Sequence, residues 1–438
     1  MKTNTKAPKV KRITHEGAPA KRIGALAELR RTVMACLLWE DNFYENGVSV
    51  ADRIAKLVPE VSGPEAMQVA IEARDKMKLR HVPLYITRIM ARTPHQKEFV
   101  AETLTRVIQR ADELCEFLAI YWKSGRCPIS NQVKKGLATA FTKFDEYALA
   151  KYNRDSAVKL RDVLFLVHAK PLDDKQENLW KRLVNDELKT PDTWEVELSA
   201  SKDKTASWTR LLKEGKLGAL ALLRNLRNMT QAQVDEKLVR EGLKIAKVDK
   251  VLPFRFISAA RHAPKYEPEL ESLMFKCLEG HEKLAGKTTI LIDVSGSMEA
   301  KVSAKAEISR LDAACGLAML LREICETVEV ITFSTSTKDV PARRGFALAE
   351  AISKSQPHGG TNLGAAVRHV NQKTKTDRLI VLTDEQSADK VPDPECKKAY
   401  MINVASYRNG VGYGKWLHLD GWSDQIVNYI VQSEQIDW

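Results

Sequence analysis

The apolar pattern changes period at about residue 286, and no single fold class accommodates both parts of the chain. From about 22 to 280, apolar residues recur at three- and four-residue steps, as in helices buried along one stripe. The clearest run is 97–122. There Val100, Leu104, Val107, Ile108, Ala111, Leu114, Cys115 and Leu118 make one stripe, and Lys97, Arg106 and Arg110 lie off it. Similar helices are expected near 26–39, 64–79, 131–151, 156–168, 175–188, 216–228 and 231–246. Their links carry Pro, Gly or Asn, as at 124–130 and 168–174. This predicts a helical bundle or a helical-repeat solenoid; no strict sequence period is present, so any repeat is degenerate.

After 286, β-type runs at 288–295, 328–334, 378–385 and 399–405 alternate with helical ones at 311–325, 344–355, 363–373 and 423–435. That alternation predicts an α/β doubly wound, mostly parallel sheet. Such sheets bind ligands beyond the carboxyl ends of their strands. The expected organisation is a basic flexible tail at 1–20, a helical domain at 21–283 and an α/β domain at 286–438.

Charge divides along the same boundary. The 438 residues carry a net +12. Residues 286–438 hold 18 Lys and Arg against 19 Asp and Glu, so 1–285 carries +13 and the α/β part −1. A basic domain favours polyanions. The 44 % hydrophobic and 29 % charged composition excludes wholesale disorder. No run approaches the roughly 18 apolar residues of a membrane span, and the basic start lacks the apolar core of a secretory signal. The seven cysteines are scattered without a C-x-x-C pair. A reduced, cytoplasmic location is expected, with the cysteines as small buried hydrophobes.

The chemistry-bearing signal lies at the first α/β strand. Asp293, Ser295 and Ser297 stand on alternate residues where that strand opens into a loop. Thr361 sits in a second loop, and Asp384 ends a later strand. Two acids and three hydroxyls are hard oxygen ligands, suited to Mg²⁺ or Mn²⁺ rather than zinc. By contrast, the 285–289 run A-G-K-T-T is no phosphate loop. Five residues separate Gly280 from Gly286 where the pattern needs four, and a strand rather than a helix follows.

The set Asp293, Ser295, Ser297, Thr361 and Asp384 resembles the metal-ion-dependent adhesion site of von Willebrand factor A domains. Ahead of it, the segments 160–171, 217–230 and 251–256 are similar to segments of the TROVE domain. Together they resemble the Ro autoantigen family, bacterial members included. The resemblance implies a ring of HEAT-like helical repeats closed by the A domain. It further implies an RNA-binding scaffold, not an enzyme, in RNA quality control or degradation. Its expected partners are small noncoding Y-like RNA, misfolded RNAs with single-stranded 3′ ends, and an exoribonuclease. A monomeric protein is expected.

Candidate RNA-binding residues come partly from the resemblance, at His168, Lys151 and Arg154, and partly from the residues themselves, at Arg161, Arg224 and Arg227. His168 matches the histidine ahead of Lys-Pro, its bland alternative being a capped or core histidine at a helix end. Arg161 lies seven residues earlier on the same helical face. Lys151 and Arg154 match a basic stretch used for structured RNA, although Asp155 stands where the second basic residue is expected. Arg224 and Arg227 either line the hole or pair with acids. Two other functions compete. One is a metal-dependent protein-interaction module that does not bind RNA directly. The other is a nuclease using Asp293 and Asp384, which lacks the second carboxylate cluster that two-metal chemistry wants.

Overall fold

The computed structural model describes residues 13–14, 16–19, 24–34, 47–77, 79–153, 155–248, 251, 254–276, 283–302, 308–373, 375–405, 410–412, 414–421 and 425–435. Among these, the chain forms two compact units. One runs from Ala25 to Leu273. The other takes in Met274 onward, together with the N-terminal stretch up to Gly24.

The first unit is helical throughout, from Ala25–Met34 to Glu267–Lys276. Side-chain caps start many of its helices. Ser62 and Glu65 form a reciprocal capping box, and Asp145, Asp173, Thr193 and Asp203 each accept a backbone N–H of the first turn. The expected helix over 97–122 is instead two, Val100–Val107 and Asp112–Tyr121. Ile108 turns extended, and the Glu113 carboxylate accepts the N–H groups of Gln109 and Arg110 (2.8 and 3.0 Å). The apolar stripe nevertheless stays inside, because the turn at 108–111 keeps Ile108 and Ala111 fully buried. Likewise 131–151 splits into Asn131–Phe141 and Glu146–Tyr152, the second started by Asp145.

A degenerate repeat is visible in how helices end. Leu160–Val167 and Asp174–Val184 close with left-handed residues His168 and Asp186; Lys204–Lys213 and Ala219–Gln231 close at Gly215 and Gln233. At all four, the left-handed N–H bonds three residues back and the next N–H five residues back, the Schellman closure. His168 and Gly215 stand 47 residues apart, as do Asp186 and Gln233. The two helix pairs thus share one kind of closure at one spacing, recorded in backbone geometry rather than in side chains.

The second unit is a six-stranded sheet: β1 (Leu284–Asp293), β2 (Cys325–Phe333), β3 (Thr337–Val340), β4 (Arg378–Thr383), β5 (Lys398–Asn403) and β6 (Leu417–Asp420). The order is β3-β2-β1-β4-β5-β6, parallel except for edge strand β3. β4 is buried along its whole length, as a strand covered on both faces must be. The chain winds outward from β1 in both directions, so the crevice between the carboxyl ends of β1 and β4 is the topological switch point.

The N-terminal stretch departs from expectation. Residues 13–14 and 16–19 are not a free tail: an Ile13–Pro19 bridge joins them, and Gly17 takes φ +93°. Thr14 and Ala18 are buried, and Thr14 Oγ1 donates to the Ser387 carbonyl (2.6 Å), just past the end of β4. Lys2, Lys6, Lys9, Lys11 and Arg12 lie outside the described residues.

Candidate metal centre and nucleic-acid interface

The switch point holds the oxygen cluster. Asp293, last residue of β1, is fully buried. Its Oδ1 accepts the Ser295 N–H (2.9 Å) and its Oδ2 the Thr383 hydroxyl (2.7 Å). The Ser295 and Ser297 hydroxyls lie 3.3 Å apart. Thr361 is brought in by its loop: Gly296 N–H bonds the Gly359 carbonyl (2.9 Å), and the Thr361 carbonyl accepts from Ala388 N–H (2.8 Å). Asp384, one residue beyond β4, is fully buried, and its Oδ1 accepts from Gln386 N–H (3.3 Å). Burial and the charge of nearby Asp384 push the Asp293 carboxyl up to about 7. Two buried acids that repel each other favour a cation between them. The hard-oxygen donor set, with hydroxyls beside the carboxylates, fits Mg²⁺ or Mn²⁺.

The pattern of residue types did not reveal Arg310. It begins the helix Arg310–Ile324 and is 2 % exposed, yet its Nη1 lies 3.3 Å from Asp384 Oδ2 and 3.4 Å from the Ser297 carbonyl. An arginine opening a helix carries no sequence signal for this position. It supplies fixed positive charge beside Asp384.

A second buried cluster follows. Glu385 is left-handed (φ +60°) and pairs with His418 Nε2, while Asp420 Oδ2 lies 3.4 Å from His418 Nδ1. The ligand atoms of the three lie within 4.8 Å of one another. A carboxylate on each ring nitrogen fits an imidazolium better than a metal ligand. Although burial opposes charge on the ring, Asp420 and Glu385 overcome it and hold His418 up at about 9. The cluster ties β6 to the loop that carries Asp384.

The RNA-binding candidates are placed separately. Lys151 is half-buried, its Nζ 5.8 Å from the Tyr152 ring centre and 6.0 Å from that of Tyr147. It lines an open cavity of about 340 Å³ with Asn153, Asp186, Lys189 and Glu195. Arg154 lies outside the described residues. Arg161 is half-buried and His168 exposed, on one helix. His168 closes that helix through its backbone, with its ring outside the core. Arg224 and Arg227 are exposed on Ala219–Gln231, and neither makes an ion pair among the described residues. Among the described residues no helix is long and apolar enough to cross a membrane.

Residues 180–275 match the TROVE domain family, and residues 287–405 match the Ro60 vWA domain family. Over 91 residues the chain is 36 % identical to telomerase protein component 1 of Mus musculus and 34 % identical to that of Rattus norvegicus. Each match takes in 19 % of this chain and 4 % of the relative, so this chain spans a small fraction of those proteins. The Ro (RSR) protein of Deinococcus radiodurans has a similar fold, with a TM-score of 0.61 and 17 % identity over 94 % of this chain and 99 % of that one. The chain thus carries a TROVE-domain match followed by a Ro60 vWA-domain match, and its fold is similar to that of the Deinococcus radiodurans protein over nearly the whole length.

Proposed function

We propose that this protein is an RNA-binding scaffold. It holds small noncoding Y-like RNA and the single-stranded ends of misfolded or structured RNA, in RNA quality control or degradation in the cytoplasm. The observation that carries this reading is the TROVE match within a helical part whose surroundings carry all of the chain's excess charge, +13 over residues 1–285. Lys151, Arg154, Arg161, His168, Arg224 and Arg227 supply contacts in this reading. Exposed arginines without acidic partners among the described residues, as at 224 and 227, suit phosphate rather than a protein core. The protein acts as a monomer and presents RNA to an exoribonuclease rather than cutting it.

Labelled RNA with a single-stranded 3′ tail is expected to bind, with log affinity falling against log salt by about 0.7 per phosphate contacted. The RNA is expected to remain intact with Mg²⁺ or Mn²⁺ present. Absence of binding, or binding indifferent to salt, overturns the scaffold reading; cleavage establishes the nuclease.

Asp293, Ser295, Ser297, Thr361 and Asp384 would hold Mg²⁺ or Mn²⁺, which supplies positive charge and an open position for an acidic partner group. Because the Asp293 carboxyl sits near 7 in the fold against an ordinary 3.8, folding takes up a proton between those values. Its contribution to stability therefore falls as pH rises from about 4 to about 7, then levels off. Mn²⁺ is expected to raise the melting temperature more at about pH 8 than at about pH 5.5, where protons compete for the same oxygens. Asp293→Ala is expected to abolish that stabilisation and spare RNA binding. Loss of RNA binding in this variant, with the fold retained, would separate the roles of the two units differently.

A further inference from the structure

The helix Leu160–Val167 buries Leu160, Val163, Leu164 and Val167. Arg161 and Phe165, four residues apart, fall together on an outer flank, and His168, exposed, follows the last residue of the helix in its left-handed closure. Phe165 is 61 % exposed, and Leu172 in the following link is 76 % exposed. An exposed Phe gains little burial energy and is a poorer helix former than Ala. Cations surround this apolar surface: Arg161 beside it, and exposed Lys170 and Lys175 in and after the link. The neighbouring acids are largely engaged. Asp162 accepts from Lys159 N–H (2.9 Å), Asp173 caps the next helix through Gln176 N–H (2.8 Å), and Glu177 pairs with Lys181 (2.7 Å). Asp174 alone of these stands exposed without such a contact among the described residues. Flat apolar rings interleaved with cations complement a strand whose bases are apolar faces and whose backbone is anionic.

We propose that Phe165 and His168 form a stacking platform for the unpaired bases of single-stranded RNA, with Arg161 on the adjoining phosphate. This rests on the RNA-binding reading and adds to it a contact that reads base rather than charge. Stacking releases no counterions, so the platform's contribution is insensitive to salt, whereas Arg161 contributes to the salt slope.

The test uses the full chain and two labelled probes of equal length, oligouridylate and an abasic ribose-phosphate strand, titrated at two salt concentrations. Phe165→Ala is expected to weaken oligouridylate binding about fivefold to tenfold and leave abasic binding and the salt slope unchanged. Phe165→Leu, which keeps apolar bulk without a ring, should behave like Ala; Phe165→Trp should restore binding. Arg161→Ala should weaken both probes and reduce the slope by about 0.7. Equal affinity of wild type and Phe165→Ala for oligouridylate overturns the platform alone, as does an equal loss on both probes. Failure of the wild type to bind either strand overturns the RNA-binding reading itself, and the platform with it.

Discussion

Glu434→Ala is expected to lower the stability of the C-terminal unit by about 3–5 kcal/mol, the cost of leaving a buried cation unpaired. Arg378 opens β4 and is 1 % exposed. Its Nε and Nη2 both donate to the Glu434 carboxylate, and its Nη1 donates to the Thr288 hydroxyl (2.7 Å). Glu434 also accepts from Lys398 Nζ (2.6 Å) and the Tyr400 hydroxyl (2.9 Å). One carboxylate on the closing helix Gln425–Gln435 therefore pins the amino ends of β4 and β5, and through Thr288 the middle of β1. Replacing the pair with Arg378→Met and Glu434→Leu together should cost much less, because no charge is then stranded. Burial raises the Glu434 carboxyl, but Arg378, Lys398 and Tyr400 outweigh it and hold it below the ordinary value. The sign follows: this contribution is present above the ordinary carboxylate range and is lost as pH falls through the lower folded value. Urea unfolding followed on the α/β transition measures both effects. A loss under about 1 kcal/mol in Glu434→Ala would show that Arg378 finds water or another partner.

The pinned end lies opposite the oxygen cluster of Asp293 and Asp384, and that polarity was readable in advance. A strand ending in Asp293 with hydroxyls on alternate residues, and a second ending at Asp384, require a parallel sheet whose carboxyl ends converge. Each of β1, β2, β4 and β5 was legible because continuous apolar runs mark doubly covered strands. β3 and β6 were not, at four residues each, with polar or half-buried side chains that raise no pattern. Arg310 was illegible for a different reason: its role depends on a contact across 74 residues, and locally it reads as ordinary helix sequence. Thr14 and Ala18 sit in a polar, basic stretch whose burial is decided by Ser387, also far away in sequence. In the helical unit the stripe at 97–122 predicted burial correctly and continuity wrongly, because periodicity records which face is inside and not whether the backbone turns. Neither the repeat nor the left-handed state of His168 leaves a residue-type signal, since Gly, His, Asp and Gln occupy equivalent closures.

His168→Gly is expected to weaken single-stranded RNA binding roughly 10- to 100-fold, by loss of a stacking ring or a charge-assisted contact, while stability stays level or rises. His168 has φ +53°, a conformation that costs a residue with a Cβ about 1–2 kcal/mol. Glycine removes that cost but adds about 0.4–1 kcal/mol of freedom to the unfolded chain. The difference leaves a net gain of about 0–1.6 kcal/mol. The equivalent position of the next helix pair shows the structural preference directly, because there the same closure is made by Gly215. Gly215→Ala calibrates the argument. A Cβ there meets nothing within 4 Å, so any loss of stability reports the backbone alone, and RNA binding should not change. His168→Ala keeps the backbone cost and removes the ring, so it should lose binding as His168→Gly does without the gain in stability. Thermal unfolding and RNA titration on the three variants separate the alternatives. If His168→Gly unfolds at lower temperature and binds RNA as the wild type does, the ring supports the fold and contacts no RNA. If binding falls while stability holds, a residue that closes a helix less well than glycine is kept there for what its exposed ring touches.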